Sequence, residues 1–295
     1  MYGIEDAETA EHAVREVNRT HGLRLAVRGR FADGLQGGAW ELAAPDGVRY
    51  VLKVRPADPR SPIGEVRRAV ARVRDAGYPT PRWPAAIGLG HGLACHVQEF
   101  ADGDASTPLT SANIGPVLAA LELHAGLDPL PSRDRNADAL AAATDGGPGS
   151  LRQAVAALDA PGAVLLDRYD RLLDAAGPVA LPVGDLVHGD FNSCNILLRE
   201  GAVSAVIDID ELGSGTRVLD YAALLREAYV EGYHPDVASR IHQAAEQVAG
   251  PAVLACCAAP AAFFIAPFKA RHAPTQLPAT LERLHHMADT LANAL

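Results

Sequence analysis

The sequence predicts an α/β chain in two parts, a smaller N-terminal part of mixed β-structure and a larger C-terminal part that is mainly helical. Short alternating segments separated by glycine and proline fill the N-terminal third, as is typical of antiparallel strands. From Ile114 onward apolar residues recur at helical spacing. The chain has 295 residues, 48% of them hydrophobic, which is enough for two lobes that each bury a core. We place the boundary between residues 1–102 and residues 103–295.

The N-terminal part is expected to contain two helices and about five strands. A helix is expected over residues 5–21, and a second one begins with Ser61 as N-cap and Pro62 at the first helical position. The strands are expected at 23–27, 39–44, 48–54, 86–89 and 94–100. The glycine-bearing residues 29–38 are either a turn that covers a phosphate or an ordinary flexible hairpin.

The C-terminal part is expected to hold a strand-loop-strand at residues 186–198 among several helices. The helices are predicted at 114–124, 151–158, 163–176, 218–231, 236–248, 251–266 and 276–294. Residues 129–149 read as a surface connection with one short helix, and residues 211–216 as a flexible turn. The most apolar stretch, 252–265, is interrupted by Pro260 and is predicted to be too short to span a bilayer.

Charge and cysteine content narrow the class of protein. A formal net charge of −10 argues against nucleic acid or an anionic membrane as the main partner and is compatible with a cationic substrate. The four cysteines form no CxxC pair, so a disulfide framework or a structural zinc site is not expected. No basic segment leads into an apolar core at the N-terminus. We therefore expect a cytoplasmic protein.

The chemistry centres on the loop that follows the apolar run before His188. The sequence His188-Gly189-Asp190 is followed five residues later by Asn195, and a second apolar run comes next. A carboxylate at Asp190 can orient a hydroxyl group and accept its proton. The amide of Asn195 offers a neutral oxygen that suits a hard cation such as Mg²⁺.

A second acid completes the pattern. A β-branched run ends at Asp208, thirteen residues after Asn195. The order acid, amide, strand, acid matches the template of phosphoryl transfer, in which a catalytic Asp and an Asn precede the Asp that holds the metal ions. The form HGDxxxxN, with Gly189 where protein kinases usually carry Arg, resembles the aminoglycoside phosphotransferase family of small-molecule kinases. Residues 218–222, Val-Leu-Asp-Tyr-Ala, also resemble a segment of that family.

The resemblance implies a two-lobed, protein-kinase-like fold that transfers the γ-phosphoryl group of ATP to a hydroxyl, with GTP also open as the donor. Asp190 would be the catalytic base, while Asn195 and Asp208 would bind Mg²⁺. Lys53, paired with Glu65, would contact the nucleotide phosphates. The segment connecting the lobes would bind the adenine edge through its backbone, and it comprises Glu99, Phe100 and Ala101.

Each nucleotide-site residue also has a plainer interpretation. Lys53 is alternatively a solvated lysine on a strand face. Glu65 is alternatively a first-turn acid that complements the dipole of its helix. Residues 99–101 are alternatively an ordinary strand end.

The acceptor is expected beside Asp190 in the C-terminal part. Acids that could attract a polycation there are Glu211, Glu227 and Glu231. Asp210 is open as a substrate contact, a supporting acid next to the metal site or a solvated carboxylate. The resemblance implies a small-molecule acceptor, a cationic antibiotic such as an aminoglycoside or a basic peptide, which the enzyme, a monomer or homodimer, would inactivate to confer resistance. Alternatively, Glu227 and Glu231 form one solvated helix face. The rival functions are a kinase for an amino alcohol, homoserine or a sugar, a nucleotide-binding pseudokinase scaffold, and a protein kinase.

Overall fold

The structure is a computed structural model that describes residues 6–31, 38–105 and 107–295. Most of the predicted phosphate-covering turn, residues 32–37, lies outside the described residues. The chain folds into two compact units, an N-terminal unit up to Gly103 with Ser204–Asp210, and a C-terminal unit of Asp104–Val203 with Glu211–Leu295. The sequence assigns residues 204–210 to the C-terminal part, whereas in the structure this segment packs with the N-terminal unit.

The N-terminal unit is built on a five-stranded antiparallel sheet with the strand order β1-β2-β3-β5-β4. Its elements are α1 (Ala7–His21), β1 (Ala26–Arg30), β2 (Ala39–Ala43), β3 (Arg49–Pro56), α2 (Ile63–Asp75), β4 (Ala85–Gly90) and β5 (Leu93–Glu99). The alternation of apolar and polar residues predicts all five strands. β1 begins three residues later than predicted, because the side chain of Asn18 binds both the N–H and the carbonyl of Leu25 and so occupies its backbone groups.

One hydrophobic core joins α1 to the sheet. Val14 and Val17 on the inner face of α1 pack with Leu42 and Leu52 of the central strands. The helix begins at its cap, where the Asp6 carboxylate accepts hydrogen bonds from the amide N–H groups of residues 8 and 9. This core fixes the orientation of the sheet that carries Lys53.

The second helix starts later than the sequence indicates. α2 begins at Ile63 with Pro62 in the capping position, and no side chain caps it. The prediction that Ser61 is the N-cap was therefore wrong. The Ser61 hydroxyl is buried and has no hydrogen-bond partner among the described residues.

Over its described residues the C-terminal unit contains seven α-helices and three short strands that lie wholly within it. The helices are α3 (Ile114–Glu122), α4 (Arg135–Thr144), α5 (Leu151–Ala156), α6 (Asp159–Ala176), α7 (Val218–Val230), α8 (Pro235–His272) and α9 (Leu277–Ala292). The strands are β6 (Asp185–Val187), β7 (Ile196–Arg199) and β9 (Gly213–Gly215), and β8 (Ala202–Val206) continues into the segment that belongs to the N-terminal unit. The long helices α7, α8 and α9 pack on one another, and α8 and α9 also pack on α6.

The two helices predicted at 236–248 and 251–266 together form α8, and the break between them lies at Gly250, which has a non-helical φ of 81°. Pro260 lies inside the second part without ending it, and that part continues to His272. Among the described residues α8 is the one helix long and apolar enough to cross a membrane by length and composition, and just over half of its most apolar window is buried in the protein. This burial, with contacts to α4, α5, α6, α7 and α9, is typical of a core helix.

The predicted flexible turn after Asp210 contains a strand. β9 pairs with β6 in an antiparallel register that joins Asp185 to Gly215 and Val187 to Gly213. A Cβ atom on Gly213 would lie 2.6 Å from the carbonyl oxygen of Arg133, so the chain approaches too closely for a side chain. Glycines usually weaken strands, which is why the sequence pattern indicates a turn.

Candidate active site

The predicted catalytic loop runs from β6 to β7 and holds the carboxylate of Asp190 between two amides. Asn192 Nδ2 donates a hydrogen bond to Asp190 Oδ1 at 2.8 Å, and Asn195 Nδ2 donates to Asp190 Oδ2 at 3.1 Å. Asn195 Nδ2 also donates to the backbone oxygen of Asp190 at 2.8 Å. The predicted base and the predicted metal ligand of this loop therefore contact each other directly.

The first part of the loop is anchored by a buried carboxylate on α7. Asp220 is 1% exposed and accepts hydrogen bonds from the backbone N–H groups of His188, at 2.7 Å, and Gly189, at 3.1 Å. His124 Nδ1 lies 3.2 Å from the same carboxylate. Burial opposes ionisation of Asp220, but the hydrogen bond from His124 and the charge of its surroundings outweigh it and lower the pKa of Asp220.

His188 braces the loop from within. Its Nδ1 accepts a hydrogen bond from the backbone N–H of Asp190 at 3.3 Å, and its side chain is fully buried. Phe191 packs its ring edgewise against His188 and His124, with centroids 5.9 Å and 5.4 Å away. These contacts give His188 and Phe191 structural roles, while the predicted base Asp190 is partly exposed.

In the N-terminal unit, Lys53 forms an ion pair with Asp208. Lys53 Nζ lies 2.7 Å from Asp208 Oδ1, and the side chains are 21% and 31% exposed. Among the described residues Glu65 makes no ion pair with Lys53, so the predicted Lys53–Glu65 pairing is corrected to Lys53–Asp208. Glu65 remains in the first turn of α2, as the helix-dipole interpretation requires.

Asp208 has an unusual backbone conformation. Its φ is 62°, in the left-handed region that residues other than glycine seldom occupy. Such strain is typical of functional positions whose side chain must point in a defined direction. Here the direction brings the carboxylate to Lys53.

A second ion pair lies beside the first. Arg55, two residues after Lys53 on β3, contacts Asp210, two residues after Asp208, with 2.8 Å between Arg55 Nη1 and Asp210 Oδ2. Both side chains are only about a tenth exposed, at 12% and 11%. Asp210 was predicted to be a substrate contact, a supporting acid next to the metal site or a solvated carboxylate. The structure instead pairs it with a cation of its own unit.

A buried histidine lies on the strand next to these pairs. His96 lies opposite Lys53 in the β3–β5 register and stacks on Trp83 with 3.7 Å between ring centroids. Burial, together with the positive charges of Lys53 and Arg55, holds the pKa of His96 well below its ordinary value. His96 is therefore neutral at physiological pH and adds no positive charge beside Lys53.

The predicted adenine-binding segment follows β5. The N–H of Glu99 donates to the carbonyl of Arg82, and the N–H of Phe100 donates to the carbonyl of Arg49. The guanidinium of Arg49 also lies 3.7 Å from the centroid of the Phe100 ring. Among the described residues the N–H of Ala101 donates no hydrogen bond, so it is the donor of this segment that can bind a ligand.

The three remaining predicted acceptor contacts already have partners. Glu211 is 40% exposed and pairs with Arg133, and Glu231 is 47% exposed and pairs with Lys269 at 3.0 Å. Glu227 accepts hydrogen bonds from the backbone N–H of Ser193, at 2.9 Å, and from its hydroxyl. Glu227 and Glu231 therefore do not form one solvated face.

The donor types at Asn195 and Asp208 fit Mg²⁺. Because the nitrogen of the Asn195 amide donates to Asp190, its Oδ1 is the atom that can bind a cation. Carboxylate and amide oxygens are the hard ligands that Mg²⁺ prefers, and Mg²⁺ bound with phosphates uses one or two protein ligands. The described residues contain no group of three or more His, Cys, Asp or Glu side chains that could form a separate metal centre.

Sequence reasoning missed two side chains of the catalytic loop and its surroundings. Asn192 caps the short helical turn at Ser193–Asn195 by accepting the N–H of Cys194 at 3.0 Å, in addition to bonding Asp190. An Asn before a helical turn is a capping signal that the sequence does contain. Tyr233, whose hydroxyl donates to Glu227 at 3.0 Å, has no such signal because the contact is made in three dimensions.

Comparison with known protein families assigns the chain. The family model described as APH, the phosphotransferase enzyme family, matches residues 29–257. Because this match covers well over half of the sequence, the chain belongs to the phosphotransferase enzyme family and is a kinase-type phosphotransferase. A comparison with curated proteins finds no significant match.

Solved structures share the fold. A thermostable mutant of aminoglycoside phosphotransferase APH(4)-Ia, in a ternary complex with ADP and hygromycin B, has a TM-score of 0.64 at 18% identity, covering 91% of this chain and 94% of that one. An aminoglycoside phosphotransferase from Alicyclobacillus acidocaldarius has a TM-score of 0.58 at 18% identity, covering 95% of each chain. An aminoglycoside-3'-phosphotransferase of type VIII has a TM-score of 0.52 at 21% identity, covering 85% of this chain and 98% of that one. The predicted two-part kinase-like fold is confirmed.

Proposed function

We propose that this phosphotransferase transfers the γ-phosphoryl group of ATP, with Mg²⁺, to a hydroxyl of a small molecule. The observation that carries the proposal is the arrangement around Asp190. Its carboxylate is fixed by Asn192 and Asn195, and its loop is anchored by a buried acid on α7. A carboxylate held in this way can orient a hydroxyl and accept its proton without moving.

The nucleotide contacts follow from the N-terminal unit. Lys53 supplies a positive charge for the phosphates, and the Ala101 N–H with the Glu99 carbonyl supplies a donor and an acceptor for a purine edge. Asn195 and Asp208 would hold Mg²⁺, which when bound offsets the negative charge of the phosphates. Complexes of the APH(4)-Ia structures with ADP and AMP-PNP support a nucleotide as the donor.

The chain's own residues have separate tasks in the transfer. Asp190 orients the acceptor hydroxyl and takes its proton as the new P–O bond forms, and the bond from the γ-phosphorus to the leaving ADP oxygen breaks. Asn192 and Asn195 keep both carboxylate oxygens in place. Lys53 offsets negative charge on the phosphates of the donor.

A cationic, hydroxylated antibiotic is the acceptor class to test first. Hygromycin B is bound in the APH(4)-Ia complexes, and Glu211 and Glu231 are exposed enough to add a substrate cation to their present partners. Phosphorylation would inactivate the antibiotic and confer resistance. The four cysteines form no disulfide in the structure, and this supports the proposed cytoplasmic location.

A metabolite kinase is the second candidate, and one observation favours it. Asp210, Glu211 and Glu231 are each neutralised by an Arg or Lys of their own unit. A polycation would compete with those internal partners, whereas an amino alcohol, homoserine or a sugar would need fewer acids. The acceptor class therefore has to be decided by turnover.

The deciding experiment couples ADP release to a panel of acceptors. The panel contains aminoglycosides including hygromycin B, basic cyclic peptides, choline, homoserine and hexoses, each with ATP or GTP and Mg²⁺. Asp190→Asn is the matched variant, since it keeps shape but removes the base, and its turnover should fall by roughly 1,000-fold. Nucleotide binding without turnover of any acceptor would favour the pseudokinase scaffold, and undiminished activity in Asp190→Asn would overturn the assignment of the base.

A further inference from the structure

The catalytic loop contacts α7 at a second point, and Glu227 makes that contact. Ser193 is the first residue of the short helical turn that ends at Asn195. The first N–H groups of any helical turn have no acceptor within the turn, so an outside group must accept them. For Ser193 that acceptor is Glu227 Oε2, at 2.9 Å.

The contact is a small network. The Ser193 hydroxyl donates to Glu227 Oε1, and the Tyr233 hydroxyl donates to the same oxygen at 3.0 Å. The two hydroxyl oxygens are 3.3 Å apart. Three donors on one carboxylate hold the Glu227 side chain in a single orientation, because rotation would break charge-assisted hydrogen bonds.

The spacing of the two acids on α7 explains why this network matters for the loop. Asp220 and Glu227 are seven residues apart, which places them on one face of the helix and about 10 Å apart along its axis. Asp220 binds the backbone at His188 and Gly189, and Glu227 binds it at Ser193. The segment between those anchor points carries Asp190.

The geometry points to Glu227 as a positioning residue that sets the second end of the catalytic loop. It acts through Ser193 and the adjoining turn on Asn195, whose amide nitrogen bonds Asp190. The part of this inference that concerns catalysis rests on the proposed phosphoryl transfer. It replaces the predicted role of Glu227 as a contact for a cationic acceptor.

The competing role predicts a different kinetic signature. A carboxylate that binds the acceptor affects the acceptor KM and leaves loop mobility unchanged. A carboxylate that positions the loop affects kcat with any acceptor, water included, and leaves the KM for ATP unchanged, because ground-state nucleotide binding does not use it.

The test compares Glu227→Ala, Glu227→Gln and Tyr233→Phe with Glu246→Ala. Glu246 is a matched control, a part-exposed helix acid that pairs with His242. The readouts are hydrogen exchange in peptides covering residues 188–195 and the hydrolysis of Mg·ATP without acceptor. Tyr233→Phe removes a single hydroxyl, so it keeps the test open if Glu227→Ala fails to fold.

We expect exchange in residues 188–195 to rise at least tenfold in Glu227→Ala, and kcat for hydrolysis to fall at least tenfold with the KM for ATP within twofold. Glu227→Gln keeps an oxygen for the Ser193 N–H and should recover part of the loss, while Glu246→Ala should match the parent. Unchanged exchange in residues 188–195 of a folded Glu227→Ala variant, with an unchanged kcat for hydrolysis, would overturn the inference. If the parent protein neither binds nor hydrolyses ATP, the proposed function fails, and the exchange data still decide whether Glu227 orders the loop.

Discussion

Replacing Asp220 with asparagine tests how strongly the catalytic loop depends on one buried carboxylate. The two backbone N–H groups that Asp220 accepts, from His188 and Gly189, are bound by different oxygens. Asparagine keeps the shape but has one acceptor oxygen, so one of the two donors loses its partner. Loss of a hydrogen bond to a charged group costs about 1.5–3 kcal/mol, and a buried donor left without a partner costs about 1–3 kcal/mol. We therefore expect Asp220→Asn to lose about 3 kcal/mol of unfolding free energy.

The expected loss translates into a measurable shift in melting temperature. For domains of about 150–250 residues, 1 kcal/mol corresponds to about 2–4 °C, so the C-terminal unit should melt about 6–12 °C lower. The pKa of Asp220 is held below its ordinary value. A carboxylate with a lowered pKa stabilises the folded state at every pH above its unfolded-state pKa, and this contribution is lost only as the pH falls through the folded-state pKa. The difference in unfolding free energy between parent and variant should therefore be the same at pH 6 and pH 8.

Calorimetry and urea unfolding of the two proteins measure this shift, and ATP turnover reports on the loop. Asp170→Asn is the control, because Asp170 also accepts two hydrogen bonds, from Arg152, but its side chain is 46% exposed. An exposed pair contributes about 0–1 kcal/mol, so the control should melt within about 4 °C of the parent. If Asp220→Asn were no less stable than Asp170→Asn, the anchoring role of Asp220 would be refuted.

Three further changes probe other parts of the chain. Lys53→Met should weaken ATP binding about 10- to 100-fold in a titration, because it removes a charge-assisted contact of about 1.5–3 kcal/mol. Because the pKa of His96 is lowered in the folded state, this imidazole is protonated in the unfolded chain at a pH at which it stays neutral in the folded chain. The free energy of unfolding therefore falls as the pH drops below about 6.5. His96 accounts for about 1.4 kcal/mol of this loss per pH unit. Unfolding curves at pH 7.5 and pH 5.5 should show that this part of the loss is absent in His96→Gln. Gly213→Ala should lower the melting temperature by several degrees, since its Cβ would lie 2.6 Å from a backbone oxygen.

Each of these changes has a matched control in the chain. Arg24→Met removes an exposed charge from the N-terminal unit, and ATP affinity equal to that of Lys53→Met would contradict the role of Lys53. His12→Gln changes an exposed histidine, so its pH dependence should match the parent, and equal curves for all three proteins would contradict the burial argument. Gly146→Ala adds a methyl group where no atom lies within 4 Å, and it should leave the melting temperature unchanged.

The features that the sequence predicts correctly depend on local pattern. The strands of the sheet and α1 follow from periodicity, which is a property of neighbouring residues. Spacing within one loop singles out Asp190 and Asn195, and the structure brings these two side chains into contact. Their roles as base and metal ligand stay predictions.

Features that depend on contacts between distant parts of the chain cannot be predicted from local sequence patterns. The family resemblance implies a pairing of Glu65 with Lys53, but the partner is Asp208, which is more than 150 residues further along the chain. Asp210 carries a charge that suits a substrate, and only the fold shows that Arg55 already neutralises it. A carboxylate in a sequence shows its charge and not its partner.

The discontinuity of the N-terminal unit has a consequence for biosynthesis. Strand β3 leaves the ribosome early, but the segment Ser204–Asp210, which completes its unit, follows about 150 residues later. At about 5–20 residues per second, translation takes on the order of 10 s to supply Asp208 and Asp210 to their lysine and arginine partners. The sheet can pair during that interval, but its two ion pairs cannot form. The N-terminal unit is therefore completed only after the C-terminal catalytic loop has been synthesised. The folding of one half of the enzyme thus depends on the synthesis of the other.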